Sequence, residues 1–160
     1  MQPSTQLHAA WLACLAIGLA GCVDPVDLSQ TAVGPSLVAL EKGSEDQAVV
    51  ELLQIDWGNS NFEEFPSEQK FVWQNAQRQQ EILDRLARLR QLALAAMAAA
   101  KNADAEGNEE LAHKCRQAVA DMGEHLSQSH LSECVREMGV VITRIRHGDV
   151  EATREEVDEP

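Results

Sequence analysis

Residues 67–105, SEQKFVWQNAQRQQEILDRLARLRQLALAAMAAAKNADA, decide the fold. Val72, Ile82, Leu86, Leu89, Ala93, Ala96 and Ala100 mark a narrow apolar seam, with alternating four- and three-residue steps from Ile82 onward. That spacing predicts one long helix from Ser67 to about Ala105, with a seam that is leucine-lined first and alanine-lined later. Alanine lets a neighbouring helix come close, so residues 72–100 are also a candidate surface for self-association or for a partner helix. Glu81/Arg85 and Asp84/Arg88 are i,i+4 pairs in the favourable order. Arg78, Arg85, Arg88 and Arg90 read as a solvated face, the alternative being that they meet the acidic stretch 45–68. Arg90 and Lys101 bound only ten residues, QLALAAMAAA, about half of what a membrane-spanning helix needs.

Downstream, Gly107-Asn108 breaks the helix and Asn108 opens the next. Leu111, Cys115, Ala118, Val119 and Met122 share one face up to Gly123, and Glu124–Ser127 is read as the turn. Leu131, Cys134, Val135, Met138, Val141, Ile142 and Ile145 line a last helix ending at Gly148. These two helices form an α-hairpin against the long one. With a turn at 123–127, Cys115 and Cys134 stand opposite each other and are expected to form a disulfide, contributing on the order of 3 kcal/mol in the chain-entropy view. The alternative is a metal- or redox-responsive site using Cys115, Cys134 and His130, with His125 nearby. Four ligands would have to converge from positions roughly 10 Å apart along the helices, so no metal is expected. His113, His125, His130 and His147 read as surface residues.

Upstream, Ser44-Glu45-Asp46-Gln47 matches a capping box before Ala48, Val49, Leu52, Leu53 and Ile55, which predicts a short helix from Glu45 to about Asp56. Trp57, Phe62, Phe65, Phe71 and Trp73 follow within seventeen residues. Aromatic residues are enriched among interface anchors, so these five are the candidate partner-binding residues; otherwise they cap the bundle where the short helix docks. Residues 23–43, with Pro25, Gly34, Pro35 and Gly43 and no sustained period, read as a flexible tether with at most one helical turn at 36–41. Residues 149–160, with six acidic side chains, read as a disordered tail. The fold class expected is all-α, a small helical bundle of short helix, long helix and disulfide-closed hairpin over 44–148.

From Ala9 to Gly21 every residue is apolar or small, a run too short to span a membrane but suited to the core of a secretory signal. It holds Cys14 and ends in Leu19-Ala20-Gly21-Cys22, which resembles the lipobox of a bacterial lipoprotein. The resemblance implies cleavage before Cys22, a diacylglycerol on its thiol and an acyl chain on the new amine. It implies a membrane partner held through that anchor, residues 22–43 as the lipidated tether, and a location in the cell envelope. Val23 implies the inner leaflet of the outer membrane, facing the periplasm. Two or more acyl chains anchor durably, each buried CH₂ contributing about 0.8 kcal/mol.

The formal net charge is −13, none of it from residues 1–21. So acidic a chain argues against nucleic acid or anionic lipid as partners and leaves basic proteins open. The sequence shows no Gly-rich phosphate loop and no nucleophile elbow. Ser127, Ser129, His130 and Glu133 cluster as helix starts and turns do, and Glu63-Glu64 reads as a solvated turn. The expected function is therefore non-catalytic and without cofactor: an envelope lipoprotein that binds another envelope protein. By architecture alone it is similar to secretion-system pilotins or to sensor-coupling lipoproteins.

Overall fold

A computed structural model describes residues 31–58, 76–128 and 130–148, with backbone only for 76–78. The described residues form five helices and no strand: α1 (Gly34–Glu41), α2 (Glu45–Leu53), α3 (Ala76–Ala105), α4 (Glu109–Leu126) and α5 (Glu133–His147). The described part of the protein is thus all-α. None of these helices is long and apolar enough to cross a membrane.

The seam of α3 makes the bundle's axis. Leu89, Leu92, Ala93, Ala96 and Ala100 are wholly buried, and Ile82 and Leu86 nearly so. All four other helices pack on α3. Over its described members, Ile82 to Ala100, the seam is therefore covered within one chain. Val72 and the predicted first turns of this helix, from Ser67, lie outside the described residues. The alanine-lined half faces the start of α4, where Ala112 and Cys115 are buried. Arg116 of α4 pairs with Asp104 of α3 across the short connection. Gly107 makes that connection at φ +76, a left-handed conformation natural to glycine. Asn108 then accepts a hydrogen bond from Leu111 N at 3.2 Å. This is the N-cap expected from the sequence, with Glu109 and Glu110 supplying negative charge to the first turn. Asn108→Ala is expected to lower stability by about 1 kcal/mol, and Asn108→Gly by a few tenths, in urea titrations.

Residues 33–43 do not form a tether. Pro35 lies in the first turn of α1, where a missing N–H is harmless. Val33, Leu37 and Ala39 are buried, and α1 packs on both α2 and α3. The described fold thus includes residues from Val33 onward, upstream of Ser44. Arg88 of α3 pairs with Glu41 at the end of α1, so the arginine face reaches a carboxylate just before the stretch weighed for it. Ser36 Oγ is buried with no hydrogen-bond partner among the described residues. In α2 the cap falls at Ser44, but no side-chain capping bond forms; Gln47 Nε2 instead donates forward to Glu51 Oε1 at 2.6 Å. The helix ends at Leu53, three residues before the predicted end.

The α4–α5 hairpin differs most from its expected form. Gly123 does not stop α4, which runs on to Leu126. It is instead where α5 crosses. A Cβ on Gly123 would stand 2.7 Å from Thr143 Oγ1, and one on Gly139 would stand 2.8 Å from both Gly123 O and Ser127 N and would overlap Ser127 Oγ. Ser127 Oγ donates to Gly123 O at 2.8 Å, and Thr143 Oγ1 donates to Gly139 O at 2.9 Å. Each helix thus presents a glycine with a hydroxyl four residues later, and each hydroxyl faces the other helix's glycine. Leu131, 1 % exposed, anchors the loop between them, and Arg136 Nη1 donates to its carbonyl.

Candidate functional site

The cysteine pair follows from that crossing. Cys115 lies eight residues before Gly123, on the side away from the loop, and Cys134 lies five residues before Gly139, on the loop side. At 1.5 Å per residue they are separated along the hairpin by roughly 20 Å. A disulfide needs Cα atoms within about 7 Å. Both cysteines are free thiols, so the disulfide-closed hairpin is not what the structure shows. The error came from the turn, placed at 123–127 instead of beyond Leu126. Cys115 is wholly buried among the core side chains, and Cys134 is half-buried with its Sγ 3.3 Å from Ser132 Oγ. His130 is exposed in the loop near Cys134 and far from Cys115. Among the described residues no group of three His, Cys, Asp or Glu side chains is placed to hold a metal. The residues of the sensor alternative are therefore not brought together.

Burial pushes the Cys115 thiol above its ordinary pKa of 9.0, with Arg116 opposing the shift. The unfolded chain then loses this proton first, so Cys115 stabilises the fold below about pH 9 and that contribution fades as pH rises further. It also shields the thiol from thiolate chemistry. In native protein, iodoacetamide is expected to label Cys134 at least about a hundredfold faster than Cys115, whose reaction awaits opening of the core. In urea the two should react alike, as peptide mapping would read. Equal native rates would contradict the burial of Cys115.

Of the five aromatic candidates, only Trp57 is described; Phe62, Phe65, Phe71 and Trp73 lie outside the described residues. Trp57 is half-buried against the core, with its ring tilted 37° to that of His125 at a centroid distance of 5.6 Å. His125 Nδ1 lies 3.3 Å from Gln128 Nε2. Trp57 thus packs the end of the α2 segment onto the end of α4. This contact takes half-buried His125 out of the set of simple surface histidines. Cys22, the apolar run before it and the acidic tail 149–160 also lie outside the described residues.

A feature with no counterpart in the sequence reading is an open cleft of about 260 Å³ between the start of α2, the carboxyl half of α3 and the start of α4. Val49, Ala95, Ala99 and Ala103 form its floor, and Glu45, Asp46 and Glu106 contribute carboxylates. Small-molecule sites run at about 300–1,000 Å³, so this cleft is nearer the scale of protein side chains. No residue lining it is Lys or Arg. Its walls come from three separate stretches of chain, so no single motif announces it; the only trace is the alanine spacing at 95, 99 and 103.

Comparison with protein-family models, with curated proteins and with solved structures finds no match to the chain.

Proposed function

We propose that the protein is a lipid-anchored envelope lipoprotein, acylated at Cys22 and facing the periplasm, that acts without catalysis by binding another envelope protein. The observation that carries this reading is the apolar run Ala9–Gly21 ending in Leu19-Ala20-Gly21-Cys22. The rest of the chain is consistent with it. Val33, the first core residue among those described, lies eleven residues after Cys22, so even fully extended backbone holds it within about 40 Å of the anchor. A net charge of −13 favours a basic partner.

Intact-mass spectrometry of protein purified from the envelope tests the reading. The expected species begins at Cys22 and carries a diacylglycerol and an amide-linked acyl chain. An unprocessed chain beginning at Met1, or a soluble species cut elsewhere, would overturn it. Cys22→Ala should abolish lipidation and release the domain from the membrane fraction.

A further inference from the structure

The cleft between α2, α3 and α4 joins two properties that point to one kind of occupant. Its α3 wall carries Ala95, Ala98, Ala99 and Ala103, of which Ala98 is exposed, Ala95 and Ala99 are half-buried and Ala103 is buried. Side chains this small let another helix lie close along α3. Glu45, Asp46 and Glu106 are exposed at its edges, and none of them is paired with a cation among the described residues. Leu111, 36 % exposed, supplies an apolar contact at the α4 end.

We propose that this cleft docks a basic amphipathic helix of a partner protein. An arginine or lysine of that helix lays its methylene stem on the alanine floor and brings its cation to the Glu45, Asp46 and Glu106 carboxylates, the arrangement long cationic side chains adopt on apolar surface. The proposal rests on the partner-binding reading given above and names its surface and its chemistry. A second copy of this chain is disfavoured as occupant by the charge of −13 on each molecule. A nucleic acid or an anionic membrane is disfavoured for the same reason.

The probe is a designed helical peptide of leucine and lysine, with a leucine–glutamate peptide as its counterpart, titrated into the ¹⁵N-labelled full chain in neutral detergent. Amide shifts at Val49, Ala99, Ala103 and Leu111 should saturate together with the lysine peptide. Changing Glu45→Gln, Asp46→Asn and Glu106→Gln together should weaken binding about tenfold or more, whereas Glu137→Gln on α5 should not. Ala98→Trp, at an exposed floor position, should block binding while circular dichroism stays that of the wild type. Shifts scattered over the acidic surface, equal weakening by Glu137→Gln, or equal binding of the glutamate peptide would overturn the proposal.

Photo-crosslinking in the envelope separates its failure from that of the broader reading. A probe at Ala98 should capture a partner through a basic helix. Capture from a probe at exposed Val140 but not from Ala98 would remove the cleft and leave partner binding standing. An unlipidated, freely soluble protein would remove the broader reading whatever the peptide does.

Discussion

Gly139→Ala should cost about 2–3 kcal/mol, roughly 10 °C in Tm for a domain of this size. Elsewhere in a helix the same change would help by about 1 kcal/mol, because alanine is the better helix former. Here the new methyl overlaps Ser127 Oγ and presses on two backbone atoms, Gly123 O and Ser127 N, at 2.8 Å. A hydroxyl can rotate away, but the backbone cannot move without separating α4 from α5. Gly123→Ala is the informative contrast. Its nearest obstacle is the Thr143 hydroxyl, with backbone only at 3.3 and 3.4 Å. We expect a loss of about 1 kcal/mol there, most of it recovered when Thr143→Ala is added. Ser127→Ala should rescue Gly139→Ala only in part. Urea titration of the set decides the matter: a Gly139→Ala protein as stable as wild type would mean the helices do not approach this closely.

Leu37→Ala should cost about 3 kcal/mol, within the 2–5 kcal/mol range typical of leucine truncation in a core. Leu37 is 1 % exposed and belongs to a helix packed on both α2 and α3. A leucine in a flexible tether would change stability by less than about 0.5 kcal/mol. The mutation therefore decides between a domain that includes residues 33–43 and one that starts at Ser44. Chemical denaturation monitored by far-ultraviolet circular dichroism is sufficient, and a silent Leu37→Ala would restore the tether.

The difference between these elements explains what was legible in the sequence. The seam of α3 has a clean period, marked off in its leucine-lined half by Asp84, Arg85, Arg88, Arg90 and Gln91, and its described members are all buried, as are Leu92 and Ala103. In α4 the same holds except that Ala112 rather than Leu111 takes the inward position at its start, and in α5 Val135, Ile142 and Ile145 are buried while Cys134, Met138 and Val141 are half-buried and Gly139 is buried. Residues 34–41 have no such contrast. Leu37, Val38, Ala39 and Leu40 follow one another without a polar side, so periodicity gives no signal, and Gly34-Pro35 resembles a breaker although proline suits a first turn. Gly123 misled for a related reason. Glycine inside an apolar pattern is read as a stop, whereas only its tertiary neighbour, Gly139, reveals it as a point of contact. That one misreading moved the turn, and the moved turn produced the cysteine pairing. The cleft was illegible for yet another reason: its carboxylates and alanines are brought together only by packing of α2, α3 and α4.

The burial of α1 also has a mechanical consequence. Tension applied at residue 31 enters the core at Val33 and acts first on α1, an eight-residue helix joined to α2 by a three-residue turn. Loaded from that end, α1 lifts off one turn at a time, so the force never has to break its whole interface at once. The unit of α3, α4 and α5, which packs over larger interfaces and is closed by the glycine crossing, carries the same force but should give way only at a higher one. Optical-tweezers pulling between residues 31 and 148 should show a short low-force extension before the main rupture, and Leu37→Ala should erase that first step. Under strain α1 acts as a sacrificial latch, yielding first and re-zipping when the load is released.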